Sequence, residues 1–186
     1  MTRQPEDILT FWFEGDRSVR RKKWFEKNPA FDAACAAFAR DIRAARDGAY
    51  AAWTATPRGA LALIVLLDQL SRNVFRNTPQ AFAADPMALG IARAMVNNGV
   101  DTGLTSFERM FVYLPFEHAE AMQEQNESVR LFSGSIDIFG ADTVDYALRH
   151  REVIQSYGRF PHRNAILGRP DTAAEKEYLS RPGAGF

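Results

Sequence analysis

Apolar positions along the chain recur at helical rather than strand spacing, and the breaks between them carry helix-start chemistry. Asn28-Pro29, Thr56-Pro57, Thr78-Pro79 and Asp85-Pro86 each set a capping side chain ahead of a proline suited to the first helical position. Thr105 with Glu108 and Thr172 with Glu175 have the spacing of capping boxes. No apolar and polar alternation is flanked by Asn-Gly or Asp-Gly hairpin signals, and 99–103 reads as an interhelical loop. The pattern predicts an all-α chain with helices near 5–14, 19–26, 29–46, 57–75, 85–98, 105–122, 126–137 and 141–157. Shorter pieces are expected after Pro161 and Thr172.

The helix from Pro57 is apolar on every side through Leu61, Leu63, Ile64, Val65, Leu66 and Leu67, which marks a helix surrounded by others. It is the expected centre of a single helical domain over residues 1–186, a length that builds one core without disulfides or metal staples. Antiparallel helices of this length form solenoid-like arrays, although no clean 34-residue repeat appears.

Charge narrows the function classes. Basic and acidic residues balance at 23 each, which removes the diffuse positive field of a non-specific nucleic-acid or membrane-surface binder. Any anion binding must therefore be local. Cys35 is the sole cysteine, so neither an intrachain disulfide nor a cysteine-based zinc site is available. The opening residues lack the basic end and apolar stretch of a signal peptide, and "GALALIVLL" is too short to cross a bilayer, so a cytoplasmic location is expected.

Three stretches carry the polar chemistry. In "LLDQLSRNVFR", Asp68, Arg72 and Arg76 share one helical face at the end of the buried run, as the wall of a polar cavity would. In "MFVYLPFEHAEAM", His118 lies on the stripe Met110, Leu114, Met122, beside a Pro115 that removes one helical N–H, with Glu117 on another row. His150 repeats the inward position on the stripe Tyr146, Val153, Tyr157. His118 with Glu120 and His150 with Glu152 are two residues apart, on opposite sides of a helix. Neither a di-iron pair nor a spaced zinc pair results, and no metal or other cofactor is expected, zinc through His118, His150 and a carboxylate being the lesser alternative.

The third stretch, "YGRFPHRNAILGR", gathers three arginines and a histidine with no carboxylate. Gly158 suits a left-handed helix cap, Phe160 before proline must be extended, and Pro161 starts a short helix closed by Gly168. Arg159, His162 and Arg163 then crowd a helix N-terminus, where cations are disfavoured and an anion is welcome. That anion is either an internal carboxylate such as Asp68 or Glu117, or an external phosphate or carboxylate.

Together with "ILTFWF", "WFEKNPAFD" and "LPFEHAE", these stretches resemble the bacterial family known as domain of unknown function 924, along nearly the whole chain. The resemblance implies an all-helical, tetratricopeptide-like arrangement and no established activity. Ser71 stands where the family pattern has proline, and Ala119 where it has serine, so no hydroxyl adjoins His118. Two functions follow. In one, Arg72, Arg159, Arg163, Asn164 and Arg169 line a cleft for a small anion. His118 or His162 then carries a proton, oriented by Asp68 or Glu117, as a hydrolase or transferase would need. In the other, the charges lock the C-terminal segment in place and the protein is a non-enzymatic scaffold for a protein partner.

Overall fold

The helix starts lie where capping chemistry sets them. In the computed structural model, which describes residues 3–185, the Asn28 side chain accepts the Phe31 N–H at 3.0 Å and the Thr56 hydroxyl accepts the Gly59 N–H at 3.1 Å. Thr172 and Glu175 close a full capping box at 2.7 and 3.2 Å. Asp85 departs from this pattern. The helix begins at Asp85 itself, whose carboxylate is turned toward Arg72 instead. Among the described residues every regular element is helical and no strand occurs.

The chain divides into two compact units. The first, up to Arg76 and then Gln80–Pro115, contains α1 (Pro5–Phe13), α2 (Pro29–Cys35), α3 (Ala39–Arg46) and α4 (Pro57–Ile64). It continues with α5 (Ser71–Val74), α6 (Asp85–Asn97) and most of α7 (Ser106–Glu117). Between α4 and α5 the central helix widens into a π-helical turn, Val65–Leu70. Every residue from Ala60 to Leu70 is buried, as an all-apolar helix demands, and α1, α3 and α6 pack around it. The Ser71 hydroxyl donates to the Leu66 carbonyl at 3.0 Å across the widened turn.

The helix expected over 19–26 is reduced to one 3-10 turn, Lys22–Trp24. Tertiary partners override local propensity there. The Trp24 indole enters the aromatic core and donates to the Trp12 carbonyl at 2.9 Å, while Arg21 donates to the carbonyl of Phe13, the last residue of α1, at 3.2 Å.

The second unit comprises Asn77–Pro79 and the residues from Phe116 onward. It contains α8 (Met122–Ser133), α9 (Ile136–Phe139), α10 (Ala141–Tyr157), a 3-10 turn Pro161–Arg163, α11 (Asn164–Leu167) and α12 (Ala173–Leu179). The helix expected over 105–122 stops at Glu117, so His118 lies in a turn and Met122 opens the next helix, 37% exposed. The apolar stripe through His118 and Met122 therefore does not form. Gln125 of α8 donates to the Glu117 and Ala119 carbonyls at 2.7 and 2.8 Å, which satisfies acceptors that the helix end leaves open. No helix among the described residues is long and apolar enough to cross a membrane.

Candidate functional site

The motif from Tyr157 to Arg169 folds as its punctuation requires. Gly158 ends α10 with φ of 70°, Phe160 is extended, Pro161 starts the turn, and Gly168 closes α11 with φ of 66°. Phe160 is fully buried against Val153 and Ile154. Its backbone N–H points at Glu120, which accepts it at 2.8 Å.

Two internal carboxylates meet most of this positive charge. Glu120 takes Arg169 in a bidentate pair at 2.7 and 3.0 Å, and Arg169 also donates to the Asn164 side chain at 2.9 Å and to the Phe160 carbonyl at 3.1 Å. Glu175 takes Arg159 at 2.6 and 2.8 Å, and Arg159 adds the Pro170 carbonyl at 2.8 Å. Asn164 donates to Asp171 at 2.7 Å. Burial works to raise the Glu120 carboxyl, but Arg169 and the Phe160 N–H outweigh it and hold it below its ordinary value. Arg159, with the Thr172 backbone N–H, holds Glu175 far below the usual carboxylate range. Arg159, Asn164 and Arg169, candidates for an external anion, are thus built into a clasp that ties the turn after α7 to α11 and α12.

Around the Phe160 ring lies a second set of groups. All three histidines of the chain gather here. The His150 ring meets Phe160 edge-on at 5.6 Å, His162 lies 5.5 Å from it, and His118 is 6.5 Å from His150. Arg163, also buried, stacks over Phe160 at 4.5 Å and donates to the His118 carbonyl at 3.1 Å. His150 Nδ1 lies 2.8 Å from the Tyr146 carbonyl, which can only accept, so in the neutral ring that nitrogen carries the proton. Glu117 Oε1 lies 3.5 Å from the same Nδ1.

Electrostatics keep His150 and His162 neutral. Burial first, then the nearby His118, Arg163 and His162, lower His150 to about 3 despite the opposing Tyr146 carbonyl. Burial and Arg163 lower His162 to about 4. The 3.5 Å approach of Glu117 to His150 is therefore a polar contact to a neutral ring rather than an ion pair. Among the described residues no three His, Cys, Asp or Glu side chains are arranged to hold a metal ion.

The remaining candidates, Asp68 and Arg72, belong to the first unit. Arg72 lies 3.0 Å from the fully buried Asp68 and takes Asp85 at 2.9 and 3.0 Å. Burial opposes its charge, and the two carboxylates outweigh that and raise its pKa. Arg76 and Asn73 share Asp32. An apolar groove of 460 Å³ in this unit, lined by Thr56, Ala60, Met87, Gly90 and Ile91 among others, carries no titratable side chain.

Sequence reasoning put His118, His162, Glu117 and Arg163 among the candidates but left out His150. The inward position of His150 on α10 was visible, whereas its meeting with Glu117, 33 positions away, was not. Glu120 and Glu175 were likewise missed as anions of the motif, since each lies outside it.

A model of the bacterial protein family of unknown function DUF924 matches residues 8–183. The solved structure of a protein of unknown function from Agrobacterium tumefaciens is similar, with a TM-score of 0.85 at 36% identity over 95% of this chain and 96% of that one. No curated protein matches the chain.

Proposed function

The chain belongs to the DUF924 family of bacterial proteins of unknown function, and from that starting point we propose that its second unit binds a small phosphate or carboxylate at the histidine cluster around Phe160. The observation that carries this reading is the gathering of His118, His150 and His162 with Arg163 in one partly buried place. A hydrophobic core has no need of three imidazoles and a guanidinium, and such convergences of perturbed groups mark functional sites.

In this reading Arg163 supplies the positive charge, beside the neutral His150 ring. His118 and His162, both partly exposed, are the groups placed to move a proton, and Glu117 orients His150. Acid–base chemistry of a hydrolase or transferase on the bound anion would use these parts. Arg159, Asn164 and Arg169 hold the segment in place rather than the ligand.

A second reading, a scaffold without chemistry, draws support from the Arg159–Glu175 and Arg169–Glu120 pairs, because charges that answer one another need no ligand. Thermal unfolding with rising phosphate or small carboxylates separates the two. The site reading expects a saturable rise in Tm for wild type and Arg159→Ala, and none for Arg163→Ala. No rise in wild type at any concentration leaves only the scaffold.

A further inference from the structure

The segment after α12 lies against one ring of this cluster. Gly185 sits so close to His162 that a Cβ at that position would come within 3.1 Å of the imidazole's Cβ and 3.3 Å of its Cγ. Its φ of 85° is a second reason that only glycine suits the position. The segment folds back through a turn in which the Arg181 N–H donates to the Tyr178 carbonyl and the Ala184 N–H to the Arg181 carbonyl, at 3.1 and 3.2 Å. Gly183, with φ of 76°, completes the reversal.

The hold on this segment is slight. Gly185 N–H donates to the Tyr178 hydroxyl at 3.2 Å, and the Tyr178 ring in turn packs at a tilt against Tyr157 of α10. Arg181 pairs with Glu177 in the last turn of α12, at an exposed site where such a pair contributes little. Ser180 to Gly183 are exposed, and only Ala184 and Gly185 press inward. A glycine-rich, exposed segment whose tip is held among the described residues by a 3.2 Å hydrogen bond to Tyr178 belongs to the low-stability end of a fold, where local opening is cheap.

We propose that residues 181–185 are a strap that covers the His162 side of the cluster and swings away to admit the anionic ligand. The proposal rests on the site reading above. Opening exposes the imidazole without disturbing the clasp, since Glu120 pairs with Arg169 and Glu175 with Arg159, away from the strap. Charged and titratable groups near His162 are Arg163 on its own turn and Glu120, His118 and Arg169 from other parts of the unit. Removal of the strap therefore adds water to a ring that already faces a guanidinium.

Two variants test it: Gly185→Val, whose side chain cannot fit against His162, and a chain ending at Ser180. The readouts are the His162 imidazole titration by NMR and phosphate binding by calorimetry. The strap predicts that His162, lowered to about 4 in the closed protein, titrates closer to its ordinary 6.5 in both variants. It also predicts phosphate affinity greater by about threefold or more, because apparent affinity scales with the fraction of open molecules. An unchanged His162 titration in both variants overturns the strap. A released His162 with wild-type phosphate affinity overturns its role as a gate. A released His162 with no phosphate binding in any form leaves the cover standing and defeats the site reading instead.

Discussion

Acidification should destabilise this protein well above the range where carboxylates titrate, because His150 and His162 are held neutral in the folded state. Their folded pKa values, about 3 and about 4, lie below the unfolded 6.5. Below pH 6.5 the unfolded chain takes up two protons that the folded chain refuses, so stability falls with pH. The loss runs from 6.5 down to about 4 for His162 and about 3 for His150. Each pH unit within the window costs about 1.4 kcal/mol per histidine, which sums to roughly 3 to 4 kcal/mol between about pH 7.5 and pH 5, with some allowance for solvent at the His162 ring. Glu120 and Glu175, whose folded values are also lowered, act in the same direction but only below about 4.5. Urea unfolding followed by tryptophan fluorescence across this pH range measures the slope, with Trp12 and Trp24 buried reporters. His150→Gln should remove about half of it, near 2 kcal/mol. A stability that is flat between pH 7.5 and 5 would refute the burial of neutral imidazoles on which the site is built.

Glu120→Gln removes the carboxylate shared by Arg169 and the Phe160 N–H, and should cost about 2 kcal/mol in denaturant unfolding. Phe160→Ala empties the hub of the cluster and should cost about 3 to 5 kcal/mol, with the His150 and His162 titrations moving toward 6.5 in NMR spectra. Cys35 is fully buried and burial pushes its thiol up to about 12, so a thiol-reactive dye should label it only as fast as the protein unfolds.

The helical grammar was legible because it is local. Asn28, Thr56 and Thr172 cap with atoms three residues away, and Gly158 and Gly168 take left-handed conformations that their positions demand. The buried central helix was legible from its all-round apolar pattern. Asp85 looked like a cap by the same rule and is not one, since Arg72, 13 positions away, offers its carboxylate a charged partner. The turn at His118 was hidden for a related reason. Periodicity ran through it, and Gln125 supplies from the following helix the hydrogen bonds that make an end at Glu117 affordable. The candidate site was half legible. Sequence could point to Arg163, His118 and His162, but which arginines meet Glu120 and Glu175 depends on contacts 16 to 49 residues apart.

The central claim is that an anion binds at Arg163 among the histidines and not at the clasp arginines. Phosphate titration followed through the imidazole and guanidinium nitrogen signals tests it most directly. The account predicts saturable shifts at Arg163 Nε and at the rings of His118, His150 and His162, with Arg159 and Arg169 unmoved in their carboxylate pairs. Silent histidines and Arg163 throughout the titration, or shifts confined to Arg159 and Arg169, would contradict it.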